Sequence, residues 1–482
     1  MRKRTIICLL FIGMSITSCN DWLNVDPKSQ VKEDLLFRSE AGFRDALIGV
    51  YTIMGRDHLY GGYATMLVPE VLAQTYSTVN TRSYSTCNIQ TLMTYDYEAS
   101  RVRGFFNQIW SSSYYAITNC NHILRNVDEQ RGIIRDGIYE LVKGEAIALR
   151  AFLHFDLLRA FAPSMITGAN QPAIPFVDRV TNTPIAQSSV EELLNRIISE
   201  LETARALVKE VDPIGPHFDL YADEPDAYST EDYILDEGFT LYRKSRLNYY
   251  GMTALLARVC LYKNDKANAL RYAKEVIDSR KFTLVTSANV STSGLLRAMT
   301  RYEYISSVYV YNLAENRSEN YFRDYISSSE ESYELYISDA RRISIFGSLG
   351  VDIDLRSQQL FLPYYVDLPN KYISKYMSGN RIPLLKLSEM YLIAAECSND
   401  ISYLQTLLNS RGYVNNPLPA NADLAQEIQN EYQREFIAEG QLFYFYKRIN
   451  LSLLPFTATT MNNSAYIFPM PDNEIEFGNI QH

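Results

Sequence analysis

The strongest constraint on the fold is a 34-residue segment, Arg246–Ser279, in which apolar residues recur at helical spacing on both sides of a short polar turn. The turn is the Lys-Asn-Asp triplet at 263–265, and the small residues Ala269 and Ala273 stand where the second helix would cross the first. A helix, a short turn and a second helix of this kind are typical of a tetratricopeptide-type unit. The segment therefore predicts a fold built from helical hairpins.

The same periodicity predicts further helices on both sides of this hairpin. One pair is Ile138–Phe161 with Val190–Val208, and Ser189 and Glu192 form a capping box at the start of the second helix. The other predicted helices are the pair Leu384–Cys397 with Ile401–Ser410, and the single segments Lys32–Met54, Val102–Val127 and Leu424–Ala438. A chain of 482 residues would by length alone suggest about three domains, but one large helical array accounts for the same length.

Two stretches break the helical pattern. Residues 210–242 carry ten acidic residues and no Lys or Arg, which predicts a solvated excursion from the scaffold. Residues 301–336 carry eight tyrosines, and their section EYISSVYVYNL, at 303–313, is typical of one or two extended strands. The whole chain has 37 Tyr beside 2 Trp. Because each buried phenol needs a partner for its hydroxyl, we expect many of these rings to be exposed or half-exposed.

The N-terminus has the parts of a signal peptide, predicted over residues 1–18. Basic residues 2–4 precede an eleven-residue, mostly apolar segment, Ile6–Ile16, and the small residues Thr17 and Ser18 lie directly before Cys19. Eleven residues are too few to cross a membrane, which needs about twenty. The cysteine resembles that of a bacterial lipobox, which implies cleavage before Cys19 and a lipid anchor on it. The alternative is an ordinary secreted protein.

The net charge argues against a nucleic-acid-binding protein, and the cysteine pattern argues against a disulfide-rich one. The formal charge is −10, and removal of the signal peptide makes it −13, which argues against a nucleic-acid-binding surface. No Cys-x-x-Cys pair is present, and Cys120, Cys260 and Cys397 each stand in an apolar helical pattern, where a cysteine is usually a small buried hydrophobe. We expect no disulfide framework, and the pattern leaves the state of Cys87 and Cys120 open.

The sequence carries none of the common catalytic motifs, such as His-Glu-x-x-His, Gly-x-Ser-x-Gly or a P-loop. Its five histidines lack the spacing of a zinc site, so we predict no metal site and no cofactor, with a structural calcium ion as an open alternative. Arg150 and His154 lie four residues apart on one helix face, and we interpret them as structural partners between packed helices. A carboxylate pair for glycoside hydrolysis is a weaker alternative, which 56 acidic residues leave open.

A series of short motifs follows one after another along nearly the whole chain. They are SCNDWLNVDPKSQV at 18–31, the stripe Trp110, Tyr114, Ile117 and Asn121, the helix Lys143–Phe161, the hairpin Arg246–Ser279, the Ser-Asp-Ala-Arg motif at 338–341, Lys375-Tyr376, RIPLLKLSEMYLIAAE at 381–396, QREFIAEG at 433–440 and FPMPDNEI at 468–475. In this order they resemble the SusD/RagB family of surface lipoproteins, which bind nutrients at the outer membrane of Bacteroidetes. The chain departs from the family pattern at Tyr432, usually an arginine, and at Gln441–Tyr446, and both departures concern packing.

The resemblance implies a mainly α fold, with about four tetratricopeptide-type helix pairs packed against an irregular, loop-rich region that has a few short strands. It implies a single SusD-like domain over residues 19–482. The implied helix pairs lie within about 32–208, 246–279 and 384–440, and the implied ligand-binding loops at about 57–101, 210–242 and 281–380. Six motif residues are expected to be scaffold rather than ligand contacts: Trp110, Asn121, Arg150, Glu389, Glu396 and Glu439.

The function that the resemblance implies is non-catalytic binding of oligosaccharide or polysaccharide nutrients at the cell surface. It also implies a partner, a SusC-like TonB-dependent outer-membrane barrel that receives the ligand, and a lipid-anchored location at the outer membrane. Two alternatives stay open. One is a binder of peptides or other oligomers, which the same family includes, and the less favoured one is a surface glycoside hydrolase.

Exposed tyrosine rings offer a flat stacking surface and a hydroxyl at low entropic cost, which suits a sugar ligand. We therefore take the ligand-contact candidates from two tyrosine-rich stretches. They are Tyr76, Asn80, Arg82, Tyr84, Tyr95 and Tyr97 before the Trp110 helix, and Tyr302, Tyr304, Tyr309, Tyr311 and Tyr321 in the second stretch.

Overall fold

The computed structural model describes residues 33–77, 84–218, 238–315, 321–322, 333, 335–363, 370–377 and 379–480. The predicted signal peptide, the lipid site Cys19 and most of the acidic stretch at 210–242 lie outside these ranges. Within them, no helix combines the length and the apolarity that a membrane span requires.

Eight helices form the scaffold. They are α1 Glu40–Met54, α2 Ser100–Val127, α3 Ile138–Phe161, α4 Val190–Val208, α5 Tyr249–Tyr262, α6 Lys266–Asp278, α7 Leu387–Ser398 and α8 Ile401–Leu408. Each helix packs against the next one along the chain, so the eight form an array of four hairpins. The array confirms the mainly α, tetratricopeptide-type scaffold.

Polar side chains begin five of these helices. Ser39, Ser189, Asn248, Asp265 and Asp400 precede α1, α4, α5, α6 and α8, and each accepts a hydrogen bond from a backbone N–H of the first turn. These caps satisfy backbone donors that have no partner inside the helix. At α4 the capping box that the sequence predicted is present: Ser189 Oγ accepts from Glu192 N at 3.2 Å, and Glu192 Oε2 accepts from Ser189 N at 3.0 Å.

Helix α3 lies at the centre of the array and is buried on nearly every side. Gly144 sets its approach to α4, because a Cβ atom there would lie 2.5 Å from Val208 Cγ1 and 3.1 Å from the carbonyl oxygen of Ala204. Real Cβ atoms do not approach other atoms so closely. Any larger residue at 144 would therefore push the two helices apart.

The remaining helical segments are short and lie mainly in the long connections. They are Val68–Leu72, Tyr84–Met93, Met165–Gly168, Ser287–Ser293, Leu295–Tyr302, Asp339–Ile353, Leu355–Gln359, Leu424–Glu435, Leu442–Arg448, Asn463–Tyr466 and Asp472–Phe477, with π-helical turns at Tyr63–Leu67 and Asn409–Tyr413 and 3₁₀ turns at Arg131–Ile133 and Arg243–Ser245. This irregular region packs against the array and carries the strands.

Within the described ranges, seven short strands form three small antiparallel sheets. They are β1 Pro172–Pro175, β2 Gln187–Ser189, β3 Tyr304–Tyr309, β4 Ile337–Ser338, β5 Phe361–Pro363, β6 Asn370–Ile373 and β7 Arg381–Lys386, paired as β1-β2, β3-β7 and β4-β6-β5. Strand β3 confirms the extended structure predicted within 303–313. Strand β7 leads directly into α7.

Three predicted helix boundaries are wrong. Residues 384–386 belong to β7, because their backbone pairs with β3, and α7 begins only at Leu387. The helix predicted over Leu424–Ala438 ends at Glu435, because Ala438 turns with a φ of 60°. The first predicted helix, Lys32–Met54, is broken at 37–39 before α1 begins.

Scaffold roles are confirmed for the six motif residues. Arg150 donates to Glu200 Oε2 at 3.0 Å and to Asn121 Oδ1 at 2.8 Å, Glu389 accepts from Arg258 Nε at 2.6 Å, and Glu396 accepts from Arg448 at 2.6 Å. Glu439 pairs with Lys375 and Lys386, and Trp110 is 5% exposed. These contacts tie distant segments together inside the fold, and none of the six lines the two clefts described below.

His154 is a structural residue, as the sequence suggested. Its Nδ1 lies 2.8 Å from the carbonyl oxygen of Arg150, and its Nε2 accepts from Val177 N at 3.0 Å. The ring stacks on Phe176 with centroids 4.1 Å apart. Burial lowers the pKa of His154 to about 3, so the imidazole is neutral in the folded protein.

The departure at Tyr432 concerns packing, also as expected. The Tyr432 ring is buried and stacks on Phe445, with centroids 4.0 Å apart, and on Phe436 at 5.0 Å. Aromatic stacking therefore holds the Tyr432 ring inside the fold.

Candidate functional site

An open cavity lies beside the end of the antiparallel pair of strands β3 and β7. We call it the polar cleft and define it by Asn289, Arg297, Arg301, Tyr302, Tyr309, Asn380 and Arg381 on its walls, with Tyr304 and Tyr376 also lining it. Its volume is about 590 Å³, within the range of about 300–1,000 Å³ that ligand pockets usually occupy.

Tyr309 stands at the rim of the cleft because β3 ends there. The strand pairs Tyr309 with Arg381 of β7, and the Tyr309 side chain is 50% exposed while neighbouring Val308 is buried. Asn380 Nδ2 donates to the Tyr309 hydroxyl at 3.2 Å, and Val310 N donates to the carbonyl oxygen of Asn380 at 2.8 Å. The ring is therefore held at its polar end and leaves much of its surface open.

One wall of the cleft is the short helix Leu295–Tyr302. Leu295, Ala298 and Met299 bury one side of this helix. Arg297 and Arg301, four residues apart, share the opposite side and line the cleft. Because the apolar residues of this helix face the core, the two guanidinium groups on its other side face the polar cleft.

The inner surface of the cleft contains two buried phenols. Tyr304 is 3% exposed, and burial raises its pKa well above the ordinary value. Tyr376 is also buried, its hydroxyl donates to the carbonyl oxygen of Ala438 at 3.1 Å, and burial raises its pKa in the same way. Both phenols are therefore neutral at physiological pH, and the charge of this cleft comes from its arginines.

A second cavity of about 640 Å³ adjoins the polar cleft. We call it the apolar cleft and define it by Ile48, Tyr51, Phe239, Leu241, Tyr242 and Arg246. Tyr309 and Arg381 line both cavities, so they form the ridge between them. The Arg246 guanidinium lies 3.9 Å from the centroid of the Phe239 ring. The two clefts together offer an extended surface with aromatic rings along it.

The second tyrosine-rich stretch is partly at this site. Tyr302, Tyr304 and Tyr309 line the polar cleft, and Tyr302 and Tyr309 keep part of their surface exposed. Tyr311 is 76% exposed but does not line either cleft. Tyr321 is fully buried, and its hydroxyl donates to Asp57 Oδ1 at 2.8 Å.

The first stretch does not form an exposed platform in the described residues. Tyr76 and Tyr97 are buried, with hydroxyls that donate to the carbonyl oxygens of Met66 at 2.6 Å and Ala465 at 2.5 Å. The Tyr95 hydroxyl donates to the Leu72 carbonyl oxygen at 2.9 Å, and burial raises the pKa of Tyr95 to about 12. The expectation of exposure is wrong for Tyr76, Tyr97, Tyr304 and Tyr321, because internal hydrogen bonds satisfy hydroxyls that would otherwise need water.

Three candidates cannot be placed in the site. Asn80 and Arg82 lie outside the described residues, as does the side chain of Tyr84, whose backbone begins the helix Tyr84–Met93.

Sequence reasoning missed the polar residues that surround Tyr309. Arg297 and Arg301 carried a usable signal, since they are spaced by four directly before the tyrosine run. Asn380 and Arg381 carried none, because only the pairing of β7 with β3 brings them to this place. Phe239 lies near the end of the acidic stretch 210–242 and reaches the apolar cleft through tertiary packing.

Carboxylates are scarce among the described residues that line the two clefts. Among the described residues that line the polar cleft there is no Asp or Glu, and the lining of the apolar cleft has Asp45 as its single carboxylate. Glycoside hydrolysis needs two carboxyl groups about 5–10 Å apart. Across the described ranges, no three His, Cys, Asp or Glu side chains are grouped in a way that would hold a metal ion.

Comparison with known proteins gives a consistent result. A sequence profile of SusD-like proteins, described as starch-binding and associating with the outer membrane, matches residues 21–219. The SusD-like protein P25 of Formosa agariphila is 22% identical over 218 residues, which is 44% of this chain and 39% of that protein. The match therefore spans well under half of the length of this relative.

Solved structures of low identity share the fold over most of the chain. A SusD superfamily protein from Bacteroides thetaiotaomicron has a TM-score of 0.69 at 17% identity, covering 92% of this chain and 99% of that one. Surface glycan-binding protein A from Bacteroides uniformis has a TM-score of 0.65 at 18% identity, covering 92% and 94%. A laminarin-binding SusD-like protein has a TM-score of 0.65 at 17% identity, covering 92% and 98%. The sequence profile matches the N-terminal part of this chain, the relative resembles a part of it, and the solved structures share its fold, so all three comparisons point to similarity with SusD-like proteins.

Proposed function

We propose that this protein is a non-catalytic glycan-binding protein that holds an oligosaccharide segment across the polar cleft and the adjoining apolar cleft. The observation that carries the proposal is Tyr309, a half-exposed ring on the ridge between two cavities of ligand size. A sugar ring presents a flat C–H face, for which an exposed aromatic ring is a suitable partner, and the phenol hydroxyl adds a polar contact.

The polar groups around the ring suit the hydroxyl rim of a sugar. Asn289 and Asn380 supply amide groups, and Thr292, Ser293 and Thr300 supply hydroxyls that can both donate and accept. The hydroxyls of Thr292 and Ser293 donate to backbone carbonyls of their own helix, which leaves their oxygen lone pairs available to a ligand. A site with one aromatic face and many neutral hydrogen-bonding groups favours a polyol over an apolar ligand.

The same surroundings support binding without turnover. Because neither cleft has a second carboxylate among its described lining residues, the pair required for glycoside hydrolysis is missing at the place where the sugar would lie. The proposed binding uses no cofactor. Relatives in fold include proteins named as glycan-binding and laminarin-binding, which is consistent with a sugar ligand.

The cellular part of the proposal rests on the family and on the N-terminal sequence. We place the mature protein at the outer membrane, anchored by lipid on Cys19, with a SusC-like TonB-dependent barrel as the partner that receives the oligosaccharide. Purification from native membranes under mild detergent should recover one large β-barrel protein in roughly equal amount. Its repeated absence would contradict the partnership.

The binding proposal is tested with Tyr309→Ala and a matched control, Tyr311→Ala. Both residues are exposed tyrosines in the same segment, but only Tyr309 lines the clefts. A polysaccharide that retards the wild-type protein in affinity electrophoresis should be identified first from a panel of glycans, with peptides as the alternative class. The loss of an aromatic stacking partner costs about 1–3 kcal/mol, taking base stacking as the analogue, so Tyr309→Ala should weaken binding about tenfold.

The control variant should bind like the wild type, and no new reducing ends should appear during incubation with the bound polysaccharide. Equal loss in both variants, or none in Tyr309→Ala, would place the ligand elsewhere. Retardation by peptides alone would move the protein to the peptide-binding class. Release of reducing ends above a buffer control would make it an enzyme.

A further inference from the structure

The polar cleft is rich in arginine in a protein that is negative overall. The chain has a formal charge of −10, yet three arginines, Arg297, Arg301 and Arg381, line this cavity of about 590 Å³. No carboxylate accompanies them among the described lining residues. A local excess of one charge in a concave surface concentrates ligands of the opposite charge.

The apolar cleft shows the contrasting arrangement. There, Arg246 pairs with Glu145 and Arg44 pairs with Glu40, so the charges of these two guanidinium groups are balanced by carboxylates of the protein. Arg297 differs from them, because it forms no ion pair or hydrogen bond with any residue in the described ranges, and its side chain is exposed. A guanidinium that the protein leaves unbalanced in a ligand cavity is available to an anion from solution.

The geometry of the arginines suits anions attached to a chain of sugars. Arg297 and Arg301 lie one helical turn apart on the wall formed by the helix Leu295–Tyr302, and Arg381 lines the same cleft as the strand partner of Tyr309. A guanidinium binds the two oxygens of a carboxylate or a sulfate through parallel N–H groups. Arginines next to an exposed aromatic ring can therefore bind the charged substituents of a sugar whose ring face stacks on the tyrosine.

We infer that the ligand of the polar cleft is an acidic oligosaccharide, carrying carboxylate or sulfate groups, and that Arg297 is a residue that selects for this charge. The inference rests on the proposed function, because it concerns the same cleft. Neutral glycans fit the aromatic ridge equally well but leave the Arg297 guanidinium without an anion. Selectivity for charge follows from the electrostatic contribution that only the acidic glycan gains.

The test uses two pairs of polysaccharides that share a backbone and differ in charge. Polygalacturonate and its methyl ester test the carboxylate, and dextran sulfate and dextran test the sulfate, beside a panel of other neutral glycans. Binding should be measured by titration for the wild type, Arg297→Gln, Arg297→Lys and the control Arg38→Gln. Arg38 is an exposed arginine that lines neither cleft.

We expect a charged member of at least one pair to bind more tightly than its neutral partner. Arg297→Gln should lose about tenfold in affinity for it, a change typical of one charge-assisted hydrogen bond, while Arg297→Lys keeps part of the affinity and Arg38→Gln keeps all of it. Binding of the charged glycan should weaken when ionic strength rises from about 0.01 M to about 0.1 M, since the screening length falls from about 30 Å to about 10 Å.

The failures of the two proposals are distinguishable. If a neutral glycan binds at Tyr309 and neither charged polymer does, the acidic ligand is refuted and glycan binding stands. If a charged polymer binds and Arg297→Gln behaves like the control, the role of Arg297 in this cleft is refuted. If no glycan of any kind binds, the proposed function itself fails.

Discussion

The wall of the apolar cleft depends on one buried carboxylate, which gives a quantitative prediction. Glu145, in the middle of α3, is fully buried, and its oxygens accept from Arg243, from Arg246 at 2.5 and 3.0 Å, and from the Tyr51 hydroxyl at 2.6 Å. Arg243 also pairs with Asp212 at 2.8 Å. Two carboxylates thus balance two guanidinium groups. Burial raises the pKa of Glu145, but both arginines outweigh it, and the pKa lies below its ordinary value.

The substitution Glu145→Gln keeps the shape of the side chain and removes its charge. One guanidinium charge is then left without compensation in a buried place, and the NH2 group of the amide, which can only donate, replaces a carboxylate oxygen that accepts from an arginine. Breaking a buried ion pair by removing one partner commonly costs about 3–5 kcal/mol. That is a large part of the total stability of about 5–15 kcal/mol that a typical folded protein has. We therefore expect a loss of about 3–5 kcal/mol in the free energy of unfolding.

Urea unfolding measures this loss as a shift of the midpoint at unchanged slope. The matched control is Glu129→Gln, since Glu129 is an exposed acid without a described partner and should change stability by less than about 0.5 kcal/mol. Adding Arg246→Met to Glu145→Gln removes the surplus cation, so the double variant should regain part of the lost stability. A loss below about 1 kcal/mol for Glu145→Gln would refute the view that this cluster holds the cleft wall.

Three further predictions follow from the fold and the N-terminus. Burial lowers the pKa of His154 from 6.5 to about 3, so between pH 6.5 and pH 3 the unfolded chain binds a proton there that the folded protein does not. The free energy of unfolding should therefore fall by about 1.4 kcal/mol per pH unit as the pH falls below 6.5. Urea unfolding of His154→Gln over this pH range should show a smaller loss of stability. Trp110→Ala should cost about 3–5 kcal/mol through a cavity, whereas thermal unfolding of Tyr311→Ala should match the wild type. Cys19→Ala should abolish palmitate labelling and release the protein from outer-membrane fractions, and unchanged labelling would contradict the lipid anchor.

Helices were predictable where a periodic face and a cap agreed. Both bounds of α3 and α4 match their predicted segments, because long amphipathic runs and the Ser189 cap are local properties of the chain. The error at 384–386 has a different origin. A short apolar run before α7 is compatible with helix or strand, and its pairing with β3, about eighty residues earlier in the chain, decides between them.

The candidate site was predictable only in part, for a related reason. The sequence located the tyrosine run that contains Tyr302 and Tyr309, since tyrosines near a strand end are often half-exposed. The sequence did not show that Tyr309 is exposed and Tyr321 is buried. The burial of Tyr321 goes with a hydrogen bond to Asp57, which lies more than 200 positions away in the chain. Arg381 joins the site through strand pairing, which composition and spacing do not reveal.

The central claim is that a glycan binds across the ridge formed by Tyr309 and Arg381. A crystal structure of the protein with a bound oligosaccharide, prepared from the polysaccharide that binds most tightly, tests this claim most directly. The account predicts a sugar ring against the face of Tyr309, with polar contacts to the walls of the polar cleft. Density for the sugar at another surface, such as the groove of about 440 Å³ beside Trp110 and Phe477, with the polar cleft empty, would contradict it.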